Sequence, residues 1–326
     1  GDLDAAIADY SSAIALDPHY APAFYHRGLA RSDLGALPAA ITDYTRAVVH
    51  YQESADKAMA YNNRGNAHAA AGELAKAIDD YSKAVSLNPH DATIFYNRGN
   101  AHKARGDLTL AIADYDQALV LDPQDATAYN NRGNARYSLG DLGPAIDDYG
   151  QAIALFADGL ERATAYNNRG LAHVAGGELN EAIADYDQAI VLLPDGPERA
   201  TVYNNRGLAN KALGDLDSAI ADYNQAIALN PRDAAVYGNR GNARFDEGYI
   251  GAALADFDRT IALNPTDATA YYNRALALRM NQEGERAGDD LEKVLDMAAH
   301  ADLKAKAERQ LEDMNKKLSV WGRWYL

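Results

Sequence analysis

The chain of 326 residues contains no cysteine, which excludes disulfides and thiolate metal sites. The same absence leaves the compartment open, because cysteine-free chains are found both inside and outside the cell. Cations are scarce beside anions: 31 Lys and Arg stand against 47 Asp and Glu, a formal net charge of -16. That balance argues against binding a phosphate backbone, which depends on clustered cations releasing counterions, so nucleic acid is not an expected partner. No apolar run approaches the roughly eighteen residues of a membrane helix. The opening GDLDAAIADY lacks the basic and apolar pattern of a signal segment, and membrane insertion is not expected. Nor is there a Ser, His and acidic constellation, a phosphate loop or a metal-ligand cluster, so neither catalysis nor a cofactor is expected.

What the chain does contain is repetition. YNNRG occurs at Tyr61–Gly65, Tyr129–Gly133, Tyr166–Gly170 and Tyr203–Gly207, with near copies at Phe24, Phe95, Tyr237 and Tyr271. The motif arginines are Arg27, Arg64, Arg98, Arg132, Arg169, Arg206, Arg240 and Arg274, separated by steps of 37, 34, 34, 37, 37, 34 and 34 residues. Each period reads as two helices. The first ends at a glycine suited to the left-handed turn conformation (Gly35, Gly72, Gly106, Gly140, Gly177, Gly214, Gly248). In the second, Leu74, Ala77, Ile78, Tyr81, Ala84 and Val85 fall on one apolar stripe. A lone helical pair cannot bury that stripe, so successive pairs must stack into a solenoid. The extra residues of the longer steps fall in HYQESADKAMAY, FADGLERATAY and LPDGPERATVY, where they are expected to lengthen a surface link.

Tyr61, Gly65, Ala77, Tyr81, Ala84 and Pro89 stand at the spacing of the tetratricopeptide repeat signature, and the chain resembles that family over eight successive units. The resemblance implies an all-α, right-handed α-solenoid of helix-turn-helix repeats, with the first helix of each lining a concave groove. On this reading residues 1–18 are the second helix of an incomplete repeat, 19–299 are eight tandem repeats, and 300–326 are a capping helix with an aromatic tail.

Two departures from the family pattern occur together. An apolar residue usually precedes the small residue of the first helix, whereas here that slot is always Arg. The slot before the large core residue of the second helix is always Asp: Asp9, Asp43, Asp80, Asp114, Asp148, Asp185, Asp222, Asp256 and Asp290. A buried charge needs a partner, so a ladder of bidentate Arg–Asp pairs is expected inside the stack. Counting leaves open whether Arg64 pairs with Asp43 of the preceding unit or with Asp80 of its own. His68, His102 and His173 share a slot four residues after the Arg and are expected to be packed or hydrogen-bonded rather than metal-binding.

The groove face carries the functional signal. Asn precedes the motif Arg at Asn63, Asn97, Asn131, Asn168, Asn205, Asn239 and Asn273; Asn62, Asn130, Asn167 and Asn204 lie one residue earlier, and Asn66, Asn100, Asn134 and Asn242 follow the Arg by two. A carboxamide both donates and accepts, so a regular row of them can hold the backbone of an extended peptide. Alternatively, the row bonds to neighbouring helices and keeps the groove wet. The peptide-binding solenoid of the O-linked N-acetylglucosamine transferase family has a similar asparagine ladder, beside a catalytic domain missing here. Tyr96 and Tyr137 add aromatic surface, while Lys103 and Lys211 add isolated positive charges. The cluster of Lys and Arg with which chaperone adaptors of the family grip acidic C-termini is not evident.

At the start, Leu3, Ile7, Tyr10 and Ile14 form an apolar face expected to be uncovered. Near the end, Leu303, Leu311, Met314 and Leu318 mark a capping helix, followed by Trp321, Trp324 and Tyr325. The function expected is a non-catalytic scaffold binding protein or peptide segments. Head-to-tail self-assembly through the two ends is the runner-up, and a targeting module of a larger enzyme is a third reading.

Overall fold

The computed structural model describes residues 2–157, 159–297 and 301–322, which form eighteen α-helices and no strand. The chain divides into two compact units, Gly1–Ala157 and Asp158–Leu326. In the first, α1 (Leu3–Leu16) is followed by four hairpins: α2 (Ala21–Asp33) with α3 (Leu37–His50), α4 (Ser54–Ala70) with α5 (Leu74–Leu87), α6 (Ala92–Arg105) with α7 (Leu108–Leu121), and α8 (Ala126–Leu139) with α9 (Leu142–Leu155). The second unit also has four hairpins: α10 (Leu160–Gly176) with α11 (Leu179–Leu192), α12 (Pro197–Leu213) with α13 (Leu216–Leu229), α14 (Ala234–Asp246) with α15 (Ile250–Leu263), and α16 (Ala268–Met280) with α17 (Gly284–Met297). It closes with α18 (Ala301–Gly322). Within each unit every helix packs on the next along the chain. No helix among the described residues is long and apolar enough to cross a membrane.

Local chemistry sets the helix ends. The turn glycines have φ between 74° and 91°, a region where a Cβ would be strained. In the shorter periods an aspartate caps the next first helix: Asp91 accepts from the Thr93 N–H, Asp125 from Ala128, Asp233 from Ala235 and Asp267 from Thr269. The longer periods are built differently from the expected surface link. Their added residues lie in α4, α10 and α12, each of 17 residues against 13 or 14 for the other first helices. Three residues are nearly one helical turn of about 3.6, so the insertion is absorbed by winding rather than by looping.

The core of seven of the eight hairpins is an aromatic ring pressed onto a glycine. A Cβ on Gly65 would sit 2.7 Å from Tyr81, and Gly28, Gly99, Gly133, Gly170, Gly207 and Gly241 meet Tyr44, Tyr115, Tyr149, Tyr186, Tyr223 and Phe257 as closely. In α16–α17 both partners change together: Ala275 faces the smaller Leu291, and both are fully buried.

The apolar face of α1 is half-buried rather than bare. The Tyr10 ring stacks on His26 at 5.7 Å, and Ile14 packs against the cluster of Ala21 and Phe24. Leu303, Leu311 and Met314 of α18 pack on the cluster containing Leu278, Leu291 and Val294. The side chains of Leu318 and Trp321, and all of Trp324 and Tyr325, lie outside the described residues.

Gln282 takes the turn-glycine place of the last hairpin at φ 63°. Gln282→Gly is expected to gain about 0.5 kcal/mol in thermal unfolding, since relief of about 1 kcal/mol of left-handed strain is partly offset by glycine's chain entropy. Gly65→Ala, which drives a methyl into Tyr81, is expected to cost about 1 to 3 kcal/mol in the same assay.

Candidate functional site

The glycine–aromatic contact determines where the neighbouring charges fall. With Tyr81 against Gly65, Asp80 lies beside Arg64: Arg64 Nε and Nη2 donate to the two carboxylate oxygens of Asp80 at 2.7 and 2.6 Å. The same two-pronged pair joins Arg27 to Asp43, Arg98 to Asp114, Arg132 to Asp148, Arg169 to Asp185, Arg206 to Asp222, Arg240 to Asp256 and Arg274 to Asp290. These eight aspartates are at most 5 % exposed, whereas Asp9 on α1 is exposed. Each guanidinium also lies over the aromatic ring one turn before it, as Arg64 does over Tyr61 at 5.2 Å. The bond to Asp80 raises the pKa of Arg64 above its ordinary value, against the opposing effect of burial.

The pairing left open by counting is thus settled for the hairpin's own Asp, but the preceding hairpin is engaged as well. Nη1 donates backwards: Arg27 to Ser11, Arg64 to Thr45, Arg98 to Ser82 and Arg132 to Asp116 in the first unit. In the second unit Arg206 donates to Asp187, Arg240 to Asn224 and Arg274 to Asp258. All seven acceptors stand two residues after the core Asp. Sequence reasoning passed over this slot because Ser, Thr, Asn and Asp look unrelated until their shared role as acceptors is seen.

The slot four residues after the Arg completes the cage. Arg31, Arg136 and Arg244 donate to Asp43, Asp148 and Asp256 at 2.7 to 2.8 Å. His68 and His173 place Nδ1 2.6 Å from Glu73 and Glu178, with Nε2 3.9 and 3.7 Å from Asp80 and Asp185. His102 lies 3.8 Å from Asp114. Among the described residues no three His, Asp or Glu converge as a metal site.

The asparagines of the first helices bond chiefly to one another and to tyrosine. In the first unit Asn63 donates to the Tyr25 hydroxyl at 2.7 Å, Asn97 to the Asn62 carbonyl at 3.0 Å and Asn131 to the Tyr96 hydroxyl at 3.0 Å. In the second, Asn205 donates to Asn167, Asn239 to Asn204 and Asn273 to Asn242, each at 2.9 Å. Asn66, Asn100 and Asn134 accept from the hydroxyls of Tyr81, Tyr115 and Tyr149. Asn66 is exposed; Asn130, Asn168 and Tyr137 are half-buried. The two lysines are not isolated charges: Lys103 Nζ donates to Asn131 at 3.0 Å, and Lys211 pairs with Asp246 at 3.0 Å. Burial lowers the pKa of Lys103.

Arg64→Leu, which strands the carboxylate of Asp80, is expected to cost about 3 kcal/mol in thermal or urea unfolding; the double change with Asp80→Leu should recover a large part of that loss. Burial holds the hydroxyls of Tyr81, Tyr115, Tyr149 and Tyr223 neutral well above their ordinary pKa of 10.0 and pushes Tyr51 up to about 12. The unfolded chain ionises these groups near their ordinary value, so their contribution to stability is complete below it and is lost as pH rises through the raised folded values. Melting temperature should therefore hold steady from about neutrality to about pH 9 and fall steeply above about pH 10.

Residues 1–35, 65–105, 99–140 and 241–282 match a family profile described as TPR repeat, and residues 161–232 and 126–158 match two described as tetratricopeptide repeat. A comparison with curated proteins finds no match. Among solved structures, a tetratricopeptide repeat protein from Parabacteroides merdae is 21% identical, with a TM-score of 0.58 over 77% of this chain and 96% of its own. The C-terminal part of a TPR repeat-containing protein from Cytophaga hutchinsonii is 16% identical, with a TM-score of 0.61 over 74% and 97%. Yeast Tom70 is 16% identical, with a TM-score of 0.52 over 98% and 87%. At these identities the likeness is one of fold.

Proposed function

Because the chain belongs to the tetratricopeptide repeat family, we propose that it is a non-catalytic scaffold whose first-helix face binds extended segments of other proteins. The observation that carries this reading is the state of the carboxamides. Asn205, Asn239 and Asn273 each use one N–H on the preceding first helix. Each retains a carbonyl oxygen and a second N–H, the pair needed to meet a peptide N–H and C=O. The bond between neighbouring amides also fixes their rotamers before a ligand arrives, which lowers the ordering cost of binding. A row of this kind grips backbone with little regard to side chains; in the first unit Asn97 repeats it, whereas the carbonyls of Asn63 and Asn131 already accept from Asn66 and Lys103, and Tyr96, Tyr137 and Lys103 add side-chain discrimination. Lys211 has the same part in the second unit.

Replacing Asn205, Asn239 and Asn273 together by Ala is expected to weaken capture from an unbiased library of extended peptides at least about tenfold, with helical circular dichroism unchanged. Full capture by the folded triple variant would overturn the clamp.

A further inference from the structure

The α12–α13 hairpin keeps the charges of the cage but lacks one of its cations. Around α8–α9, with Asp116 supplied by α7, two guanidiniums and two carboxylates form a closed quartet. Arg132 grips Asp148 and reaches Asp116 at 2.6 Å, while Arg136 donates to Asp148 at 2.8 Å and lies 3.8 Å from Asp116. In α12–α13 the two carboxylates are retained: Arg206 grips Asp222 and its Nη1 donates to Asp187. The place of the second arginine, however, is taken by Asn210, whose shorter side chain donates to Asp222 at 2.9 Å. One guanidinium therefore faces two carboxylates.

The room that the missing side chain would fill is present as a cavity of about 270 Å³, lined by Ile183, Asp187, Arg206, Asn210, Ser218 and Asp222. It involves α11, α12 and α13 and shares no residue with the asparagine row. Loss of the arginine does not by itself require such a space: α16–α17 also sets one guanidinium, Arg274, against Asp258 and Asp290, and there the fully buried Leu278 occupies the slot.

We infer that this cavity binds a guanidinium group, presented by an arginine side chain of a partner protein. The chain itself shows the fit, since Arg31, Arg136 and Arg244 place a guanidinium against the same oxygen of the core Asp in three other hairpins. A planar fork suits two carboxylates set on either side of it better than the point charge of an ammonium. Asp187, about half exposed, stands on the open side, and Ile183 offers apolar surface to the methylene stem. Ser218 also lines the cavity and has a hydroxyl able to accept. The bound group would restore the two-against-two charge balance of α8–α9.

The test is a titration of isotope-labelled protein with N-acetyl-arginine amide, with N-acetyl-citrulline amide as its neutral isostere. Saturable shifts of the Asn210 carboxamide and Arg206 Nε signals are expected with the arginine compound, and at least about tenfold weaker binding with citrulline. Asn210→Arg, which supplies the guanidinium from within, should abolish binding and raise the melting temperature. Asp187→Asn keeps an acceptor for Arg206 but removes the charge, and should weaken binding about tenfold. Equal binding of the two compounds, or undiminished binding to both variants, would overturn the assignment. Should Asn210→Arg fail to fold, Asp187→Asn decides the matter alone.

Discussion

A carboxylate buried between two helices must be met by a cation, and the rest of each hairpin is arranged around that requirement. Asp80 is brought into the core because it precedes the ring that packs on Gly65. Once there it needs more than one donor, and Arg64 supplies two from a position one residue before the glycine. The ring of Tyr61 covers the guanidinium from one side, and the third donor reaches back to Thr45 on the preceding hairpin. Buried ion pairs are often no more stabilising than a well-packed apolar pair. Their contribution here is to register: a planar group with three directed donors fits one arrangement of three helices and tolerates little sliding.

The periodic parts of this architecture are readable in the sequence. Turn glycines at a fixed distance after each motif Arg and a helical stripe on each second helix act within a few residues of chain, so local chemistry alone specifies them. What involves three helices was less legible. The choice between Asp43 and Asp80 could not be made by counting because each lies in a neighbouring second helix, and the answer involves both hairpins. The extra residues before Tyr61, Tyr166 and Tyr203 look like linker insertions in sequence; helix propensity and the spacing of about one turn draw them into the helix instead.

The asparagine row shows the same division. Its repetition was plain from the sequence, and so was its place on the first helices. The direction of its bonds was not. Asn205 to Asn167 and Asn239 to Asn204 link successive first helices, so the row braces the stack that presents it. Lys211 illustrates how neighbouring helices alter the reading of a single residue: counted along the sequence it is a lone cation, but Asp246 of the next first helix neutralises it.

The distribution of bonds within the Arg–Asp cage also bears on how such a chain can change in length. Each two-pronged pair closes inside its own hairpin, and the third donor crosses to the hairpin before it. Removal or duplication of a whole period would leave every buried carboxylate with its own arginine and only one backward contact to be remade, to a slot where Ser, Thr, Asn and Asp have all proved acceptable. A cut in mid-period would separate a carboxylate from its cation. The arrangement favours growth and loss in whole periods, and the nearly identical ERATAYNNRGLA and ERATVYNNRGLA segments fit a duplication of that kind.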